Sequence, residues 1–385
     1  GSDILAVPPA WTVNGQRIQW SRFNVYAVHP DVAELSGSGS ADGLKFQWKG
    51  ELWFEGVYKL VLIMSPDGKK RIDSFQLSWS VPAEFGKYVL SPLLDPWVDN
   101  KISKRYEILQ PNSNRDFFIW TTGSEKGFLW WPKSTANWVN SPTEKQITLT
   151  RTDGVVKVDA AIISKPAELA KSAEYTMVFM ATPAKPAPAD ARSFNLSGWG
   201  KVKHSNAQIM GWGTWEAKDT EEDCTSAAGH VPVNPVKFGK VVENWTAKGI
   251  TPYLYSMPAQ VASNDAEYDY FFAEWAKTPT YTHSITKKGT RIINEPCCGH
   301  TPVTDLLAYR TDKLFRESPK LGGLYYDLSD VRHCNNVLHG CGGTDAFGKP
   351  YMSSIALNLR ENLKRIYQVS HAHKRKLMLH AHSLF

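Results

Sequence analysis

The sequence predicts a two-part protein, an amino-terminal β-sandwich followed by a (β/α)8 barrel of the TIM type. Three observations carry this expectation. Alternating strands without a convincing helix fill residues 1–181, a proline-rich stretch occupies 182–198, and strands and helices alternate over 199–385. The length of 385 residues also favours two cores over one.

The sandwich strands are marked by period-two patterning. RIQWSRFNVYAV (17–28) leads, then VYKLVLIM (57–64) and RIDSFQLSW (71–79) flank SPDGKK, with Phe75, Leu77 and Trp79 alternating with polar residues. FFIWTT (117–122) and EYTMVFMAT (174–182) add strands, and QITLTRTDGVVKVDAAII (146–163) is a hairpin around Asp153-Gly154, whose turn positions both tolerate positive φ. Each sheet must bury one face, so many such strands imply two packed sheets. TPAKPAPADARS (182–193) then breaks the pattern as a stiff linker.

Beyond the linker, AQIMGWGTW (207–215) is a first apolar strand. Asn234 caps the next helix, Pro235 suits its first turn, Phe238, Val241, Val242 and Trp245 form its apolar face, and Gly249 stops it. TPYLYSM (251–257) is the second strand, and Tyr268, Phe271, Phe272 and Trp275 mark a second helix. TRIINEP (290–296) is expected as the third parallel strand, followed by a helix from Thr301 carrying Leu306, Leu307 and Leu314. GLYYDLSD (323–330) is the fourth, a helix from about Ser354 presents Ile355, Leu359, Leu363 and Ile366, and KLMLHAHS (376–383) is the fifth. Helical connections make these strands parallel with right-handed crossovers. A doubly wound nucleotide-binding sheet would want a glycine-rich turn directly after a strand; GCGG (340–343) lies too far downstream. The barrel is therefore the expectation, ending after about five strands at Phe385, and no cofactor is expected.

Composition bounds the partners. The net charge of +6 comes without a long Lys/Arg run, so no nucleic-acid partner is expected. No apolar run approaches the ~20 residues needed to cross a bilayer as a helix, so no membrane insertion is expected. The 15 Trp and 15 Tyr are an unusual number, of which many can be core, and an aromatic surplus also suits stacking on flat ligands or sugar faces. Gly1-Ser2 resembles the remnant of a cleaved tag, so a native signal peptide would already be gone. Five cysteines, none before Cys224, do not form a small disulfide framework. Oligomeric state is left open.

In a parallel barrel the carboxyl ends of the strands converge on the face that builds active sites. Those ends bring Trp212, Trp215 and Glu216, then Tyr255, Ser256 and Gln260, Asn294 and Glu295, Asp327 and Asp330, and His380 and His382. Cleaving a glycosidic bond needs a proton donor and a negative group at the anomeric carbon. Asp327, Asp330 and Glu295 are the candidates for these roles, with Asp327 foremost. Trp212, Trp215 and Tyr255 offer ring faces. Asn294, His333, Asn335, His339, His380 and His382 offer hydrogen bonds to hydroxyls. Each acid also has a structural reading: Asp327 as a loop cap or partner of Arg332, Asp330 as a turn residue, Glu295 as a solvated group before Pro296. In RHCNNVLHGCGG (332–343), His333, Cys334, His339 and Cys341 are all zinc-ligand types, but the spacing matches no standard finger. A Cys334–Cys341 disulfide, a pairing of either with Cys297 or Cys298, and buried thiols are the other readings, so no metal ligand is assigned.

GELWFEGVYKLVL, FQLSWSVP, GFLWWPKSTANW (127–138) and GLYYDLSDVRHCNNVLHGC (323–341) together resemble the glycoside hydrolase-like family of domain of unknown function 6067. That resemblance covers most of the chain and implies a β-sandwich before a (β/α)8 barrel, with Asp327 at a strand end. The architecture is more distantly similar to glycoside hydrolase family 123, which cleaves β-linked N-acetylgalactosamine with the substrate's acetamido group as nucleophile. Adjacent Asp and Glu serve that mechanism; here Asp327 is followed by Leu328. On this resemblance Asp327 would act with Asp330 or Glu295 on a polysaccharide or glycan, in a secreted or periplasmic bacterial setting. The alternative is a carbohydrate-binding or scaffolding protein without catalysis; a polysaccharide lyase or metal-dependent hydrolase is a third class.

Overall fold

A computed structural model describes residues 4–90, 103–106, 118–141, 146–152, 154–183, 196–197, 206–210, 230–232, 234–258, 260–262, 266–278, 283–287, 290–296, 301–327, 329, 331 and 333–380. The chain divides into two units, Gly1–Pro186 with Gly342–Ser353, and Ala187–Cys341 with Ser354–Phe385.

The first unit is a sandwich of two antiparallel sheets. The six-stranded sheet runs in the order Ser103–Tyr106, Ile147–Thr152, Val155–Ile163, Phe75–Pro82, Val7–Val13, Gln16–Arg17. The eight-stranded sheet runs Gln19–His29, Val32–Ala41, Leu44–Trp53, Val57–Ser65, Ala173–Thr182, Gly127–Pro132, Ile119–Thr122, Tyr88–Leu90. Period-two alternation puts Phe75, Leu77 and Trp79 on one buried face. There the Trp79 ring meets Trp130 of the other sheet at 5.3 Å, and Phe75 meets Tyr175 at 5.1 Å. The hairpin at 153–154 pairs Thr152 with Val155, and Gly154 takes φ 85°.

Residues 342–353 also belong to this unit, although the sequence places them within the barrel. Asp345 explains the docking. Its Oδ2 accepts the Asn137 amide N–H at 2.9 Å, and its Oδ1 accepts those of Phe347 and Lys349 at 2.9 Å each. Asn137 reciprocates through Oδ1, which accepts from Ala346 N–H at 2.7 Å, and through Nδ2, which donates to the Glu174 carbonyl at 2.8 Å. Asp345→Ala would leave three amides without this acceptor and is expected to destabilise the sandwich unit by about 2 kcal/mol. The denaturant midpoint of the full chain checks this; an unchanged midpoint would show that water replaces the carboxylate freely.

The second unit holds a five-stranded parallel sheet in the order Leu196–Ser197, Ala207–Met210, Thr251–Ser256, Gly323–Tyr326, Lys376–Leu379. Helices α1 (Pro235–Ala247), α2 (Tyr268–Trp275), α3 (Thr301–Glu317) and α4 (Ala356–Ala372) accompany it. The first is specified as its sequence suggests: Asn234 Oδ1 accepts Lys237 N–H at 3.0 Å, and Gly249 leaves the helix with φ 75°. Leu254, Leu324 and Tyr326 share one core with Phe238 and Val242 of α1, Leu307 and Phe315 of α3, and Ile366 of α4. Three helices thus cover the same face, while the alternate residues Tyr253, Tyr255 and Tyr325 are buried on the opposite one.

One strand expectation is corrected. TRIINEP does not enter the parallel sheet; Thr290–Pro296 is the centre of a separate antiparallel sheet between Gln260–Ala262 and His283–Lys287. Only Lys288-Gly289 separates it from its neighbour, which is hairpin spacing and was the overlooked signal. Among the described residues the parallel sheet has five strands, and a closed barrel is not among its features.

Beneath the sheet lies a buried histidine. His230 Nδ1 meets Thr311 Oγ1 at 2.8 Å and its Nε2 meets the Tyr326 hydroxyl at 2.9 Å. Burial first, and then the Arg310 charge, lower its pKa to about 3, against the opposing effect of a hydrogen bond to the Leu307 backbone carbonyl. A base depressed in the fold stays neutral there, so its contribution is complete above the unfolded value. It is lost progressively as pH falls from about 6.5 toward about 3. Stability is expected to decline over that window with a slope of up to about 1.4 kcal/mol per pH unit. His230→Gln should flatten the decline in pH-resolved thermal melts; a profile identical to wild type would assign acid sensitivity elsewhere.

Candidate functional site at the ends of the parallel strands

Asp327 directly follows the Gly323–Tyr326 strand, and its place is set by the ladder. Its amide donates to the Ser256 carbonyl at 3.0 Å, and His380 N–H donates to the Tyr326 carbonyl at 2.7 Å. Both bonds extend parallel pairings by one residue, which brings Asp327 and His380 side by side. The side-chain order follows from alternation: Tyr325 and Asp327 share a face, whereas Tyr326 points into the helix-covered core toward His230.

The resulting cluster joins three strands. Asp327 Oδ2 accepts from the Tyr255 hydroxyl at 2.7 Å, and Oδ1 lies 3.0 Å from His380 Nδ1. The Tyr325 hydroxyl also meets His380 Nδ1, at 2.6 Å, and the Tyr255 and Tyr325 rings stack at 6.1 Å. A bare Nδ1 would set its lone pair against the carboxylate. A proton on Nδ1, shared by Asp327 and the Tyr325 oxygen, satisfies both contacts and leaves Nε2 as the acceptor. Burial, then the Asp327 charge, push the Tyr325 pKa up to about 12, so its hydroxyl stays neutral.

Exposure separates the roles. The Asp327 side chain is 5% exposed and that of His380 41%. With donors on both oxygens, Asp327 is arranged as an acceptor that orients, and His380 is the member of the group that meets solvent. Of the roles expected for Asp327, acid–base or orienting, this geometry favours the orienting one, with His380 as its partner in a dyad. Tyr325 was missed by sequence reading, though its place two residues before Asp327 on one strand face was the available signal.

The other candidates are distributed differently. Asn294 and Glu295 lie on the antiparallel Thr290–Pro296 strand, where Asn294 pairs with Ala262 and His283, and Glu295 with Val261. They therefore do not end a strand of the parallel sheet. Asp330, Trp212, Trp215 and His382, with Glu216, Cys224, Cys297 and Cys298, lie outside the described residues. Asn335 is exposed and donates its amide to the Thr278 carbonyl at 2.7 Å, and His333 is half-buried on a short strand with Cys334.

His339 sits with sulfur rather than with the dyad. Its Nδ1 lies 3.2 Å from Cys341 Sγ and its Nε2 3.9 Å from Cys334 Sγ. Burial opposes a charged imidazole, but the hydrogen bonds to the two sulfurs prevail and raise its pKa to about 10. Both thiols are buried and they are not joined in a disulfide. No helix among the described residues is long and apolar enough to cross a membrane.

No family model and no curated protein matches the chain. Among solved structures, an alpha-galactosidase from Lactobacillus brevis is similar at 11% identity and TM-score 0.43, over 97% of this chain and 59% of its own. The GH36 alpha-galactosidase AgaB from Geobacillus stearothermophilus gives 11% identity and TM-score 0.45, over 96% of this chain and 60% of its own. AgaA from the same organism, in complex with stachyose, gives 11% and 0.46, over 96% and 61%. The chain thus spans about three-fifths of the length of these structures.

Proposed function

We propose that the chain is a glycoside hydrolase that moves its proton through the Asp327–His380 dyad, with the reaction centred on the carboxyl ends of the parallel strands. The observation that carries the proposal is the 3.0 Å contact between buried Asp327 Oδ1 and His380 Nδ1 beneath a solvent-reaching imidazole. A carboxylate behind an imidazole holds its tautomer and stabilises the cation formed when Nε2 takes a proton. From Nε2 the proton can pass to a departing glycosidic oxygen, and the neutral imidazole can then draw one from water. Asp330 is the proposed source of the second carboxylate, being three residues along the same segment. Helices gathered on one face of the sheet support a (β/α)8 barrel, since a doubly wound sheet carries them on both. The proposed setting is a secreted or periplasmic one.

A second reading, carbohydrate binding without cleavage, is favoured by the sandwich. Trp20 and Phe23 are exposed, Phe23 lies 5.8 Å from the Trp48 ring, and all three line an apolar cavity of about 520 Å³. Such faces can pack against sugar rings.

A glycan panel separates the two. The full chain is incubated with α-galactosides of the raffinose series, N-acetylhexosaminides and plant and bacterial polysaccharides, and products are read by mass spectrometry. Sugar release supports hydrolysis, and faster release from 2-acetamido sugars than from their 2-hydroxy counterparts adds substrate assistance. Retention of a glycan on the chain without release supports binding alone, and unsaturated products would replace hydrolysis by elimination.

A further inference from the structure

We infer that Cys334, His339 and Cys341 form a zinc site that clips the loop after Asp327 onto the end of α2. One ligand atom from each residue lies within 4.8 Å of the others, in a loop that the hydrolase reading does not use. Zinc at ~2.3 Å from sulfur and ~2.0–2.1 Å from nitrogen sets tetrahedral ligand atoms about 3.5–3.8 Å apart. The contact of 3.2 Å from His339 Nδ1 to Cys341 Sγ is already close to that spacing.

The surroundings are those of metal ligands. His339 Nε2 faces the Ala276 carbonyl at 3.4 Å. With Nε2–H donating to that carbonyl, zinc would displace the Nδ1 proton and take its lone pair beside Cys341, the backbone-anchored imidazole common among zinc ligands. Each sulfur also receives an amide donor. Asn336 N–H donates to Cys334 Sγ at 3.4 Å, and Asn358 Nδ2 donates to Cys341 Sγ at 3.6 Å. Such donors hold each sulfur in place.

The loop is built to keep this geometry. Asn336 Nδ2 donates to the Ala273 and Ala276 carbonyls at 3.0 Å each, and its Oδ1 accepts Leu338 N–H at 2.9 Å. Gly340 closes the turn Val337–His339 with φ 70°, and Cys341 N–H returns to the Asn336 carbonyl at 3.1 Å. A spacing of Cys-x4-His-x-Cys therefore brings three ligands together because one turn is tied at both ends. Two thiolates and an imidazole are soft to borderline donors, which suit zinc better than magnesium or calcium. Three protein ligands leave a fourth position for water.

The test uses the full chain, reduced, stripped with chelator and titrated with Zn²⁺ against a chromophoric competitor. One equivalent per chain is expected, with a rise in melting temperature. Co²⁺ in its place should give sulfur-to-metal charge-transfer absorption and the ligand-field bands of a tetrahedral site. Cys334→Ser with Cys341→Ser should abolish the stoichiometric binding, and Asn358→Leu should weaken it about tenfold or more. The triple variant Cys224→Ser with Cys297→Ser and Cys298→Ser should keep it, and an unchanged circular dichroism spectrum of the Cys334→Ser, Cys341→Ser protein separates ligand loss from misfolding. No stoichiometric binding by wild type, loss in the triple variant alone, or a Cys334–Cys341 disulfide that excludes zinc would overturn the inference. None of these readouts depends on sugar cleavage.

Discussion

Asp327→Asn is expected to lower kcat at least ~100-fold on whichever glycan the wild type cleaves, with the fold retained. Asparagine keeps the shape, so one amide atom can still accept from His380 Nδ1 while Tyr255 turns its hydroxyl to suit the other. What is lost is the negative charge 3.0 Å from the ring nitrogen, the element that stabilises a cationic imidazole. His380→Ala removes the proton carrier itself and should cost a similar factor. Because the two act as one unit, the double variant should be little worse than either single change. Multiplicative losses would instead show two independent roles and return Asp327 to direct contact with the substrate. Tyr255→Phe deletes one of two donors to the carboxylate and should cost less than the loss of charge. Wild-type turnover by Asp327→Asn would remove the dyad from the mechanism.

The features legible in the sequence were those encoded within a few residues. The Phe75, Leu77, Trp79 alternation announces a half-buried strand because side chains on a pleat point alternately in and out. Asn234, Pro235 and Gly249 announce a helix because caps and stops act through local hydrogen bonds and φ preferences. The position of Asp327 was legible for a similar reason: an acid that closes a short apolar run marks where the strand ends. Illegible were the pairings made at a distance. Thr290–Pro296 carries the same apolar pattern whether its neighbours run parallel or antiparallel, and only the Lys288-Gly289 spacing distinguishes them. The Asp345–Asn137 lock spans 208 positions, so no local pattern could place residues 342–353 with the sandwich. Likewise, the contact between Asp327 and His380 and their unequal burial become visible only when the strands are side by side.

Gly323→Ala is expected to destabilise the second unit by about 3–5 kcal/mol and to take the dyad with it. Gly323 stands at φ 156°, where the Gly323–Tyr326 strand begins, and a Cβ there would lie 1.9 Å from the Lys376 carbonyl oxygen. The obstruction is backbone on both sides, so no rotamer change relieves it, and the two strands must separate. Gly323 pairs with Lys376 as Tyr326 pairs with Leu379, and the same ladder continues to the bond from His380 N–H to the Tyr326 carbonyl. A displacement at the first rung therefore reaches the 3.0 Å contact between Asp327 and His380 at the last. The expected result is a lower denaturation midpoint together with a loss of turnover that cooling restores only in part. Gly154→Ala is the control, because Gly154 also has positive φ but nothing within 4 Å of an added Cβ. It should cost about 1 kcal/mol from backbone strain and leave turnover intact. If both substitutions cost the same, the tight approach of Lys376 contributes nothing, and the Gly323–Lys376 rung cannot be what holds the dyad in register.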